Sequence, residues 1–143
     1  MSQKKLEHFM KLYKPELSNI GSLENIGEDT VIHSHTWIGD KVKIGKRCKI
    51  QAFSFIPNGV TIGDDVFIGP HVCFTNDNYP PSHGKDWKET IVRDGASVGA
   101  NSTILAGIEI GTHAMVGAGS VVRYDVPAGE IWAGNQAHFI RKR

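Results

Sequence analysis

The sequence predicts an all-β chain wound into a three-sided solenoid, and three observations predict it. An aliphatic or aromatic residue returns every six positions through Ile20, Ile26, Ile32, Ile38, Ile44, Ile50, Ile56, Ile62, Ile68 and Phe74. After a gap the series resumes in the same phase at Val92, Val98, Ile104, Ile110, Val116 and Val122. The position that follows is often glycine (21, 27, 39, 45, 63, 69, 99, 111, 117), and the fourth position on is small or β-branched, as at Thr30, Cys48, Ser54, Ala96 and Ser120. Neither the helical period of 3.6 nor the strand period of 2 generates six, so six is the length of a structural unit.

The elements follow in chain order. Residues 1–19 lie outside the repeat, and Leu6, Phe9, Met10, Tyr13 and Leu17 recur at three or four, which predicts a short amphipathic helix capping the first coil. Residues 20–127 are the solenoid. Each hexad is a short strand plus a corner, because glycine, Asp, Asn and Pro crowd the two positions after the ladder residue. Three hexads, 18 residues, close one coil, and successive coils stack at about 4.8 Å so that the ladder residues bury one another. Pro127 stops strand pairing, and residues 128–143 are expected to fold back as a terminal strand or helix. All 143 residues form one domain.

The interruption spans residues 75–91. The ladder wants apolar residues at 80 and 86 and finds Pro80 and Asp86, so the chain leaves the prism as a loop and returns in phase. The eighteen steps from Phe74 to Val92 equal one coil in length, which suggests a loop that leaves and rejoins without turning any face. A long polar excursion carrying Asn76, Tyr79, His83 and Trp87 on a rigid scaffold is where function is expected. Outward positions hold Trp37, Phe53, Phe55, Phe67 and Trp132, which points to a symmetric oligomer, with a trimer natural for a three-sided prism.

Lys plus Arg number 16 and Asp plus Glu 15, a net charge of +1, which argues against nucleic acid or a membrane surface as the main partner. Arg141-Lys142-Arg143 is a local basic cluster, read as a solvated tail or an anion contact. The two cysteines, Cys48 and Cys73, stand 25 apart and offer neither a zinc knuckle nor a disulfide framework. Reduced thiols in a cytoplasmic protein are expected, with Cys48 buried on the small-residue column. The first residues lead into no long apolar run, so neither a signal peptide nor a transmembrane span is expected.

The repeat and its loop resemble the hexapeptide acyltransferases, which are left-handed parallel β-helices that move an acetyl group from acetyl-CoA. The runs Asp64-Asp65-Val66-Phe67-Ile68-Gly69-Pro70, Phe74-Thr75-Asn76 and Gly99-Ala100-Asn101-Ser102-Thr103-Ile104 are similar to one branch, the N-acetyltransferases of nucleotide-linked amino sugars for surface polysaccharides. The resemblance covers about residues 26–140. It departs at Gly134-Asn135-Gln136-Ala137, where the family has Gly-Asn-Pro-Ala, and over residues 1–19. It implies a homotrimer with active sites between subunits, acetyl-CoA as co-substrate, a dTDP- or UDP-amino sugar as acceptor and no metal. Asn76 aligns with the family's active-site asparagine. Ala106, Gly107, Ala118 and Arg123 fall where related enzymes lay the pantetheine arm against backbone, although each of the small ones also reads as a tight corner of the prism. Arg123 or the basic tail is placed to meet a CoA phosphate.

Acetyl transfer to an amine needs a neutral nitrogen, a polarised thioester and a proton acceptor. Positioning and oxyanion stabilisation dominate, and the leaving thiolate can take the proton. The alternative is a histidine base, as in O-acetyltransferases or xenobiotic acetyltransferases of this fold, with His83 the best candidate. His35, His71 and His113 share the outward i+3 position, and His35 and His71 lie two coils apart with Phe53 between them. A zinc carbonic anhydrase on the same prism would need three converging histidines, and the relatives' pair of histidines five residues apart is missing here. A non-catalytic trimeric scaffold would need the ladder and not the loop.

Overall fold

The computed structural model describes residues 10–143. They form a parallel β-helix of the left-handed hexapeptide type, with three sheets as its faces. The first face runs β1 (Lys11–Leu12), β3 (Val31–Ile32), β6 (Lys49–Ile50), β9 (Phe67–Ile68), β12 (Ser97–Val98), β15 (Met115–Val116), β17 (Glu130–Ala133) and β18 (His138–Lys142). The second stacks β2 (Asn19–Ile20), β4 (Trp37–Ile38), β7 (Phe55–Ile56), β10 (Cys73–Phe74), β13 (Thr103–Ile104) and β16 (Val121–Val122). The third holds β5 (Lys43–Ile44), β8 (Val60–Ile62), β11 (Thr90–Val92) and β14 (Glu109–Ile110). All pairings are parallel except β17 with β18.

The ladder residues are the core: Ile32, Ile38, Ile50, Ile56, Ile62, Ile68, Phe74, Ile104, Ile110 and Val122 are at most 2% exposed. Burial of each such side chain contributes about 1.5–3 kcal/mol relative to exposure. The small column closes the corners with hydrogen bonds between coils. Thr30 donates its hydroxyl to the Gly45 carbonyl (2.8 Å) and accepts the Cys48 amide (3.1 Å); Ser54 donates to Gly69 (3.1 Å) and Ser102 to Gly117 (3.0 Å). Buried hydroxyls at these positions are thereby satisfied.

Two expectations are corrected. The predicted N-terminal helix does not continue through its described part. Met10 to Leu17 form β1, paired with β3, and then a 3-10 turn at Pro15–Leu17. Lys14 is left-handed (φ 48°) and Pro15 follows it, so no α-helix can run through; Leu6 and Phe9 lie outside the described residues. The excursion also does not stand in for a full coil. β10 is on the second face and β11 on the third, so the eighteen steps advance the chain by a single face. The Lys46–Asp64 bond between coils spans 18 residues and the Asp64–Asp94 bond spans 30, so 12 residues are inserted at one corner. Twelve is a multiple of six, which is why the phase survives.

Pro127 does not stop the pairing as expected: β17 continues the first face in parallel on β15, and only β18 folds back, antiparallel on β17. Trp132, read from the sequence as outward, is half-buried against the core and donates its indole N–H to Glu130 (2.8 Å). Arg143 donates to the carbonyls of Gly95, His113 and Ala114 (3.3–3.4 Å). That residue of the basic tail, though exposed, caps backbone carbonyls.

Candidate functional site

The corner between the second and third faces carries the excursion, and its columns can be read coil by coil. Pro57-Asn58-Gly59 lie below, Thr75-Asn76 begin the loop, and Leu105-Ala106-Gly107 and then Arg123-Tyr124-Asp125 lie above. The loop is fixed to this edge at its start. Asn78 donates through Nδ2 to the Ala106 carbonyl (2.9 Å) and accepts the Ala106 amide on Oδ1 (3.0 Å). Thr75 Oγ1 also accepts the Ala106 amide and donates to Asn78 Oδ1, both at 3.2 Å. At the loop's end the Gly107 amide donates to Thr90 Oγ1 (3.2 Å).

Asp77 organises the inside of the loop. Its carboxylate accepts the Ser82 amide (2.7 Å) and the Tyr79 amide (3.1 Å). The Ser82 backbone N–H above all holds the Asp77 carboxyl below its ordinary range. Thr75, Asp77 and Asn78 are thus tied. The half-buried Asn76 side chain between them is tied to nothing among the described residues. His83 sits at the loop tip, exposed and left-handed (φ 56°). Tyr79 and Trp87 are 78% and 54% exposed, and Tyr124, which the sequence reading passed over, is 58% exposed on the same edge. Its place two positions after ladder residue Val122, in the column of Asn76 and Ala106, was the available signal.

The expected donor-binding residues divide between two edges. Ala106, Gly107 and Arg123 stand on the loop's edge, whereas Ala118 stands on the corner between the first and second faces. One copy of the chain does not bring the four together. Ala106 is buried with its amide and carbonyl engaged by the loop, so only its shape remains to offer a ligand. The Lys88 stem lies across Gly107, where a Cβ would stand 3.0 Å from Lys88 Cδ.

Ala118's edge also carries His35, Phe53 and His71 in one column. Their rings stack at 4.7 and 4.8 Å, the arrangement the two-coil spacing predicts. His113 lies on the third edge, over Gly95. Cys73 faces outward on the second face, and partial burial pushes its thiol up, which makes it a poor nucleophile. Cys48 and Cys73 are both free. Among the described residues no three His, Cys, Asp or Glu side chains gather within one copy as a metal group, and no helix is long and apolar enough to cross a membrane.

The family described as bacterial transferase hexapeptide (six repeats) matches residues 41–76 and 89–124, just over half of the chain. The chain belongs to this hexapeptide transferase family. The unmatched stretch between the two blocks, 77–88, is the 12-residue insertion that the register shows.

Among curated relatives, the bifunctional protein GlmU of Carboxydothermus hydrogenoformans is 35% identical over 77% of this chain and 29% of its own length. The mitochondrial gamma carbonic anhydrase 2 of Arabidopsis thaliana is 35% identical over 87% of this chain and 36% of its own. The hexapeptide chain thus spans about a quarter to just over a third of the curated relatives it matches. Among solved structures, a mutant of AntD, an N-acyltransferase from Bacillus cereus, in complex with dTDP-4-amino-4,6-dideoxyglucose and coenzyme A, superposes with a TM-score of 0.76. It is 21% identical and is matched over 100% of this chain and 89% of its own, a likeness of fold.

Proposed function

We propose that this hexapeptide transferase is an acetyl-CoA-dependent N-acetyltransferase of a nucleotide-linked amino sugar, working as a cytoplasmic homotrimer with active sites between subunits. The observation that carries this reading is the unpartnered Asn76 amide at the base of an inserted, anchored loop. Support comes from the transferase family and from the fold shared with AntD, which binds coenzyme A and a dTDP-amino sugar. The free thiols suit a reducing compartment.

In the proposed reaction the sugar amine attacks the thioester carbonyl of acetyl-CoA. The C–N bond forms, the C–S bond breaks, and the departing thiolate collects the amine proton. A sugar amine is neutral enough near pH 7 that positioning outweighs base strength. Asn76 accepts a hydrogen bond from the amine and aligns it, whereas the corner amides of Gly69, Gly99, Gly117 and Gly107 already donate within the prism and are not free for an oxyanion. Arg123 supplies a cation for a CoA phosphate. Ala118 of a neighbouring copy, rather than of the same one, completes the groove for the pantetheine arm, because its edge and the loop's edge differ.

The second reading, a histidine base acting on an amine or hydroxyl, rests on His83. It is exposed on the loop and free of the stacking that holds His35 and His71. The carbonic anhydrase relative keeps a zinc enzyme as a competitor. The test is thiol release from acetyl-CoA with a panel of dTDP- and UDP-amino sugars, alongside zinc content and CO2 hydration. Turnover of an amino sugar is expected, and its absence across the panel sinks the reading. Asn76→Ala should lower kcat about 10- to 100-fold; a larger loss in His83→Ala would favour the histidine mechanism.

A further inference from the structure

The loop's anchor has a form that bears on the chemistry at Asn76. Elsewhere in the prism, corner amides are capped by an Asx side chain from the coil above: Asn58 accepts the Lys41 amide (2.9 Å), Asp64 that of Lys46 (2.8 Å) and Asp94 that of Asp64 (2.8 Å). These caps sit on the scaffold and touch no loop. At Ala106 the direction is reversed. Asn78, inside the excursion, reaches up to the coil above and takes both the amide and the carbonyl of Ala106, as a neighbouring peptide group would. Thr75 closes the figure by bonding both Ala106 N and Asn78 Oδ1. The residues immediately before and two after Asn76 are therefore fixed on one buried corner, and the Asn76 amide between them is left free. Asp77 turns its carboxylate away, into the loop's own amides at Tyr79 and Ser82.

We infer that Thr75 and Asn78 are positioning residues. They clamp the base of the excursion on Ala106, fix where the Asn76 amide stands, and so set the acceptor's KM and turnover without touching it. This rests on the acyltransferase reading. A loop freed of the clamp must be ordered by the acceptor itself, which raises the apparent KM in proportion to the lost ordered fraction. A base displaced by about 1 Å costs up to 100-fold in rate.

The test uses Thr75→Val, Thr75→Ser and Asn78→Ala in the full chain. Amide hydrogen exchange at Ala106, Tyr79 and Ser82 is measured without substrate. Kinetics follow with acetyl-CoA and dTDP-4-amino-4,6-dideoxyglucose, or whichever panel acceptor the wild type turns over. Thr75→Val and Asn78→Ala should speed exchange at Ala106 at least 10-fold while Val98 and Ile104 stay protected. They should raise acceptor KM about 10-fold and leave acetyl-CoA KM within about threefold. Thr75→Ser, which keeps the hydroxyl, should restore both.

Unchanged exchange at Ala106 overturns the clamp. Faster exchange at Ala106 with both acceptor KM and kcat unmoved marks a merely structural role and overturns the positioning claim. A wild-type chain that turns over no amino sugar overturns the acyltransferase reading and the positioning claim with it. The exchange data need no substrate and tell that failure from failure of the clamp.

Discussion

At the scale of single residues, Asp77 carries the excursion's sensitivity to acid. Its carboxylate is held below the ordinary value near 3.9 chiefly by the Ser82 amide. A depressed carboxylate contributes order that is fully present above its unfolded value and is lost as pH falls through the folded one. The loop should therefore be unaffected from neutral pH to about 4 and loosen below it. The Tyr79 and Ser82 amide chemical shifts should titrate together in that acid range, and Asp77→Asn should remove the titration. An acid titration of these shifts that persists unchanged in Asp77→Asn would mean that Asp77 does not hold the loop. The residues around it were unequally legible. The Phe-Thr-Asn run singles out Asn76, whereas Asn78 and Thr75 look like generic loop polar residues, because nothing in the linear chain says that Ala106, 28 residues on, lies beside Asn78.

At the scale of the hexad, the corners show why glycine recurs and where it does not have to. Gly69 follows a ladder residue, and a Cβ there would stand 2.6 Å from the Ala100 nitrogen, so the coils approach too closely for any side chain. Gly119 belongs to a different column, occupied lower down by His35, Phe53, His71 and Asn101, all with φ near +60°. Its φ is +71° and nothing lies within 4 Å of its missing Cβ. Gly69→Ala should therefore cost about 1–3 kcal/mol through overpacking. Gly119→Asn should be nearly neutral, since Asn tolerates the left-handed region. Urea unfolding of the two variants checks this, and equal losses would refute the distinction.

The ladder and the corners were readable because each hexad repeats the same packing problem, and period six states its solution. The cap at residues 10–19 was not, since apolar spacing at three and four also fits a short strand followed by a 3-10 turn, and Lys14-Pro15 decides between them. The length of the gap misled in a similar way. A 12-residue insertion plus one ordinary hexad has the length of a coil, and only pairing of β11 with β8 separates the two.

For the whole molecule, the decisive question is whether one copy holds a complete site. Trp37, Phe53 and Phe55 are 40%, 51% and 37% exposed on the second face and its neighbouring corner, more apolar surface than a lone chain of this size gains by showing. Trp37 and Phe55 stack on each other at 5.1 Å, and Phe53 stacks within the histidine column, so the patch is preorganised. Asn76 and Arg123 stand on one edge of the prism and Ala118 on another, and the proposed groove between subunits would take one edge from each copy. Asn76→Ala alone should keep about 1–10% of wild-type activity for lack of the aligning amide, and Ala118→Trp alone should be inactive because the indole fills the groove. Unfolded together, mixed and refolded, they should assemble trimers in which about one quarter of the grooves pair an intact loop edge with an intact Ala118 edge. Activity should return to about that fraction of wild type, above the level of either variant refolded alone. A mixture no more active than the two variants refolded alone, with trimers present by light scattering, would place the whole site within one chain. A monomer by light scattering would remove the intersubunit groove altogether.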